Sequence, residues 1–196
     1  MNKDKIKIQV PTSWNDVTIG QYIKISKLKK PEKDYTELKY LIDLILILCP
    51  NLSKEVLENI TEEKLVEITG DWNWMVNLPI DNVVKEFKIG DDKYIYDREV
   101  DKLSLGEMVS YETLIDSEEM TQNDALSLVL AIVLRKEIDG VIEDFNADEI
   151  YNRIKLFEDN ISIEQAYGLI FFFLIGEKTS TFFLEDCLNQ MRNLTT

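Results

Sequence analysis

Carboxylates are the reactive groups this chain holds in quantity: 37 Asp and Glu, against no histidine and only two cysteines, Cys49 and Cys187. Two carboxylates do acid–base work when they converge on one pocket and their pKa values are driven apart. Asp91-Asp92 and Glu118-Glu119 are adjacent pairs on expected loops, and adjacency does not bring that convergence. Asp139-Gly140-Val141-Ile142-Glu143-Asp144 has the acids and glycine of a calcium loop, but lacks its spacing of oxygen ligands and its bidentate acid. Without histidine there are no imidazole ligands, no histidine bases and no Ser-His-Asp triad. The cysteines sit one in each half within apolar helical stretches, too far apart for a CxxC pair or a zinc set, and read as buried thiols. No Gly-rich phosphate loop or nucleophile-elbow string occurs. The expectation is a non-enzyme with no catalytic residue, cofactor or metal.

Such a chain must act through what its elements present. Its formal charge of −15, from 37 acidic and 22 basic residues, repels a phosphate backbone, so no direct contact with nucleic acid is expected. Most acids are interleaved with Lys, as in Lys30-Pro31-Glu32-Lys33-Asp34, the pattern of a solvated surface. The apolar runs Leu44 to Cys49 and Leu169 to Ile175 fall far short of the roughly 20 residues that span a bilayer. The charged, alternating start Met1 to Val10 does not read as an export signal. No membrane partner and a cytoplasmic location are expected. Asn59-Ile60-Thr61 and Asn160-Ile161-Ser162 match the glycosylation pattern and read instead as helix starts.

Seven Gly and four Pro in 196 residues, with 45% hydrophobic residues, favour helices around a real core. Lys5 to Val10 alternates like a half-buried strand, and Thr18 then caps a helix to about Leu28. Thr36 to Leu48 is a strongly apolar helix stopped by Pro50, Ser53 caps Lys54 to Asn59, and Thr61 caps a helix through Ile68 with Gly70 as its exit. Val84 to Ile89 and Lys93 to Tyr96 flank Gly90-Asp91-Asp92 as a hairpin. Ser104 caps a helix to about Asp116, and Thr121 to Arg135 carries an apolar stripe through Leu126, Val129, Leu130, Val133 and Leu134. Ser162 opens an apolar helix ending near Gly176, and a last helix is expected from about Thr181 to Asn193. Phe171, Phe172 and Phe173 make the Ser162 helix apolar almost all round, suited to a core or a subunit contact.

Three of these starts are capping boxes, in which a hydroxyl accepts from the amide three residues on and the side chain there reaches back: Thr18 with Gln21, Ser104 with Glu107, Ser162 with Gln165. The first two head similar stretches, Val17 to Ile25 and Leu103 to Tyr111, each with a glycine (Gly20, Gly106) at the second helical position, where close packing is the expected reason for it. At the same separation of 86, Tyr40 to Leu48 falls on Leu126 to Leu134, and Thr61 to Leu65 meets Asn146 to Ile150 after a shift of one. The expected fold is mainly α with short β elements, in two tandem and duplicated units, 1–83 and 84–196, each opening with a strand or hairpin.

Val10-Pro11-Thr12-Ser13-Trp14-Asn15-Asp16-Val17-Thr18-Ile19-Gly20-Gln21-Tyr22 resembles the start of small structural and assembly proteins of tailed bacteriophages, including crAss-like phages of gut Bacteroidales. The resemblance implies a non-enzymatic virion-associated or cargo protein, or a tail or baseplate assembly chaperone. It also implies other phage structural proteins as partners, in the host cytoplasm during assembly or in the virion. An alternative from another class is an acidic inhibitor of a host nucleic-acid-binding protein, which calls for a carboxylate face lacking Lys. Trp14, Trp72 and Trp74 are the candidate interface residues, with Trp72 and Trp74 first because they sit in a break between helices; closing a core is the competing reading.

Overall fold

The computed structural model describes residues 8–34, 36–70, 72–79, 83–96, 103–115 and 124–176. Among them the chain forms α1 (Ile19–Ser26), α2 (Glu37–Leu48), α3 (Lys54–Leu57), α4 (Glu62–Thr69), β1 (Glu86–Ile89), β2 (Asp92–Ile95), α5 (Leu105–Ile115), α6 (Asp124–Val133), β3 (Arg135–Ile138), β4 (Val141–Ile142), α7 (Ile150–Asn160) and α8 (Ile163–Gly176). Short 3-10 turns lie at Trp14–Asp16, Trp72–Val76 and Ala147–Glu149. The fold is mainly α with one small antiparallel sheet.

Hydroxyl side chains set where the helices begin. Thr18, Thr36, Ser53 and Thr61 each accept from the amide three residues on, Gln21, Lys39, Val56 and Lys64, so one otherwise orphaned donor of each first turn is satisfied. The starts of α1 and α8 also satisfy each other. Ile19 N donates to Ile161 O at 3.0 Å and Ile163 N donates to Val17 O at 2.8 Å, an antiparallel bridge between Thr18 and Ser162. Each helix thus places its first amide on the carbonyl just before the other's cap residue.

After Asp124, α6 is apolar apart from Ser127, whose hydroxyl donates to Glu158 Oε1 at 2.9 Å, and every residue from Ala125 to Leu134 is buried, rather than only the stripe the periodicity picks out. It packs against α5, α7 and α8. α1 lies across α7 so closely that a Cβ at Gly20 would stand 3.0 Å from the carbonyl oxygen of Glu158. One hydrophobic cluster takes in Trp14, Ile19, Ile45 and Ile68 from the first stretch and Phe87, Leu128, Phe157 and Ile170 from the second, so the core continues across residues 83 and 84.

The sheet has the order β1-β2-β3-β4, every neighbour antiparallel. In the first hairpin Gly90 takes φ of +61° between Ile89 and Asp92, with Asp91 outside the positive-φ region, as a two-residue turn with glycine first requires. The second hairpin departs from the sequence expectation of a helix running to Arg135: α6 ends at Val133 and the chain enters β3 at once. Asp139 (φ +52°) and Gly140 (φ +79°) are both left-handed, the two-residue turn that Asp-Gly favours, and they reverse the chain into β4. Ion pairs Lys93–Glu137 (3.1 Å) and Lys136–Asp92 (2.8 Å) join β3 to β2.

The strand expected over Lys5 to Val10 is not formed in its described part, residues 8–10. Ile8 and Val10 are partly buried against the core while Gln9 is exposed, so at residues 8–10 the alternation serves packing on the core. The expected last helix, Thr181 to Asn193 with Cys187, lies outside the described residues.

Candidate functional site

A buried helix end poses an electrostatic problem, and its solution organises the most unusual region of this protein. The last carbonyls of α6 have no helical partners, and residues 125–134 are all buried from solvent. Arg135, 1% exposed, turns back on them: its Nη1 donates to Ile132 O at 2.5 Å and to Leu134 O at 2.8 Å. Arg153 reaches the same Leu134 carbonyl from α7 at 3.2 Å. Cations there also suit the negative end of the helix dipole. Two buried guanidiniums then need counter-charges of their own. Arg135 Nη2 donates to Glu107 Oε1, and Arg153 Nη2 donates to Glu143 Oε1, which also accepts from Lys136 N at 2.8 Å.

This arrangement decides how α5 sits. Glu107 is fully buried; one carboxylate oxygen takes Arg135, and the other accepts from Ser104 N at 2.7 Å to complete its capping box. Ser104 Oγ accepts from Glu107 N at 3.3 Å. The Phe145 ring lies over the Arg135 guanidinium at 5.0 Å and also against Gly106, where a Cβ would stand 3.0 Å from the ring. With its acid turned inward, α5 turns apolar side chains outward: Leu105 is 77% exposed, Met108 47% and Val109 52%. Residues i, i+3 and i+4 share one helix face, so these three form a short apolar ridge.

The other expected caps lie elsewhere. Thr18 Oγ1 accepts from Gln21 N, Gln21 Oε1 accepts from Thr18 N at 2.9 Å, and Gln21 Nε2 donates to Ile47 O at 2.8 Å, tying α1 to the end of α2. Ser162 Oγ accepts from Gln165 N and Gln165 Oε1 accepts from Ser162 N, both at 3.2 Å. Asn160, at the end of α7, donates its amide to Leu156 O, so the segment Asn160 to Ser162 joins two helices.

Trp14 is enclosed, 6% exposed; its Nε1 donates to Asn77 O at 2.7 Å, and its ring meets Trp74 and Tyr22 edge-on at 5.1 and 5.7 Å. Trp72 and Trp74 are half-buried and packed on the core. Trp14 and Trp74 therefore share an aromatic contact with Tyr22, Trp72 packs on the core beside them, and among the described residues an exposed apolar ridge lies on α5.

A cleft of about 910 Å³ opens between residues 8–11, the start of α1 and the end of α2. Its ionisable groups are Asp16, Lys24 and Asp159. Thr12 donates its amide and hydroxyl to Asp16, holding that carboxyl below its ordinary range, and Asp159 accepts from Lys155 at 2.7 Å. Each acid has its own local partner, and nothing sets the two against each other as acid and base. Burial pushes the Cys49 thiol up to about 11, which leaves it protonated and inert at neutral pH. Among the described residues no three His, Cys, Asp or Glu side chains gather as a metal site, and Asp139 to Asp144 forms a hairpin turn whose Glu143 is held by Arg153. No helix among them is long and apolar enough to cross a membrane.

Arg135, Phe145 and Arg153 carry no motif, and Glu143 stands in the sequence only within the stretch compared with a calcium loop. The signal for Arg135 is its place directly after ten apolar or small residues, where a buried helix end asks for a cation; the other three carry no comparable local signal. Comparison with protein-family models, with curated proteins and with solved structures finds no match.

Proposed function

We propose that this protein is a non-enzymatic structural or assembly protein of a tailed bacteriophage, acting through protein contacts as a virion-associated component, packaged cargo or assembly chaperone. The resemblance over residues 10–22 supports the phage setting. The observation that carries the contact reading is the outward ridge Leu105, Met108 and Val109 on a helix whose only described buried charge faces inward. Apolar side chains grouped in this way on an otherwise charged surface mark interaction sites. The test is mass spectrometry of purified particles together with capture from infected cells by the tagged protein. Phage head, tail or baseplate proteins are expected to come down with the wild type and to be lost with Met108→Gln/Val109→Gln. Absence from particles, together with capture that the double variant leaves unchanged, would overturn the reading.

A second reading, the acidic inhibitor of a host nucleic-acid-binding protein, draws support from residues 139–152, which hold five acids and no Lys or Arg. Displacement of DNA from a host enzyme by the purified protein would favour it, and full retention of DNA at saturating protein would remove it.

A further inference from the structure

The ridge on α5 does not stand alone. The Phe145 ring packs on Gly106, and the turn Ala147–Glu149 packs on α5, so the loop before α7 borders the first turns of the helix. In residues 139–152 Glu143 is consumed by Arg153, whereas Asp139, Asp144, Asp148 and Glu149 are exposed. Neither this segment nor α5 contains a Lys or Arg, although Lys is interleaved with acid over much of the remaining sequence. Tyr151, 67% exposed, adds aromatic surface at the start of α7. The region thus combines an apolar ridge with an acidic segment that itself holds no Lys or Arg.

We infer that this face docks a cationic amphipathic helix of another protein, its apolar side chains on Leu105, Met108 and Val109 and its Lys or Arg side chains toward Asp144, Asp148 and Glu149. The inference rests on the contact reading above and names the partner's chemistry. A second copy of this chain fits poorly, because a symmetric contact presents the same patch from both sides and would set acid border against acid border on two chains of charge −15. Helix-on-ridge recognition reads anchors at i, i+3 and i+4, the spacing offered here. A contact built on three side chains and border charges falls at the small end of specific interfaces, so binding should be weak and salt-sensitive.

The probe is a synthetic four-turn peptide with Leu at helical spacing and Lys elsewhere; its control carries Gln in place of Lys. Fluorescence anisotropy is measured at low salt and at about 0.3 M salt. Wild-type protein should bind the Lys peptide at least about tenfold more tightly than the Gln peptide, and added salt should reduce that advantage. Met108→Gln/Val109→Gln and, separately, Asp144→Asn/Asp148→Asn/Glu149→Gln should each weaken binding by about tenfold. Glu32→Gln/Asp34→Asn/Glu37→Gln, at a distant acidic site, should leave it unchanged. Equal weakening by that distant set would mean attraction to net charge alone and would overturn the inference. If the triple variant at 144, 148 and 149 binds like wild type while the α5 double variant does not, the partner's charge falls and the contact reading stands. If the α5 double variant also binds like wild type, both fall. A dimer in sedimentation that Met108→Gln/Val109→Gln dissolves would give the face to a second copy instead.

Discussion

α1 and α5 start by one recipe and end with opposite polarity. Both open with a hydroxyl cap, an apolar first residue, a glycine and a reciprocating side chain three positions after the cap. α1 buries Ile19, Tyr22, Ile23 and Ile25, and its Gln21 reaches sideways to a carbonyl of α2. α5 buries Glu107 against Arg135 and exposes Leu105, Met108 and Val109. The capping box thus fixes where a helix begins and leaves open which face it buries. That face depends on the third residue and what it meets: an amide satisfied by a carbonyl, or a carboxylate that must find a buried cation.

The largest effect that could break this comparison comes from removing that cation. Arg135→Met strands Glu107 in the interior and uncovers the last carbonyls of α6, and should cost about 3–5 kcal/mol in urea unfolding. Gln21→Met in α1 removes two hydrogen bonds without stranding a charge, and should cost about 1–3 kcal/mol. The double change Glu107→Gln/Arg135→Met should recover much of the first loss, since a missing buried pair is better tolerated than half of one. Equal losses for Arg135→Met and Gln21→Met would show that α5 is held by packing, as α1 is.

Next come the glycines. At Gly20 a Cβ would meet the backbone of α7, 3.0 Å from Glu158 O and 3.3 Å from Glu158 Cβ, so α1 and α7 must separate. Gly20→Ala should cost about 1–3 kcal/mol. At Gly106 the obstacle is the edge of the Phe145 ring, which can tilt. Alanine also favours the helix by about 1 kcal/mol over glycine, so Gly106→Ala should be close to neutral in the same melts. A larger loss at Gly106 than at Gly20 would mean that the Phe145 ring is the more rigid wall.

The caps themselves should act alike in both helices. Thr18→Ala and Ser104→Ala each remove one acceptor for the amide three residues on, and each should cost about 0.5–2 kcal/mol in thermal or denaturant melts. A wild-type melt for either would place that helix start elsewhere. These caps were legible in the sequence because they are local, a hydroxyl and a partner three residues apart; the hairpin at Gly90 was legible for the same reason. Asp139-Gly140 carried an equally local turn signal, but its acids invited comparison with a calcium loop and the apolar stripe before it ran on to Arg135. The polarity of α5 could not be read locally, because the partner of Glu107 lies 28 residues away across α6. The three tryptophans were legible as aromatic area for an interface or for closing a core, but the ring contact between residues 14 and 74 exists only after folding.

The smallest expected effect is the sharpest test of the two faces. Met108 and Val109 keep about half their surface in water, so exchanging both for Gln removes little burial and should change stability by only about 0.5 kcal/mol. Ile23, at 6% exposure on the inward face of α1, is the matching control; Ile23→Ala should cost about 2–5 kcal/mol through lost burial and the cavity left behind. The contrast matters for the contact reading because an outward apolar ridge is available to a partner without any part of the core opening. Urea melts of Met108→Gln/Val109→Gln and Ile23→Ala, read beside peptide binding, separate the cases. A double variant that melts like wild type and no longer binds assigns the ridge to contact. A double variant that loses as much stability as Ile23→Ala would show that α5 also buries its outward face, and the difference between the two helices would disappear.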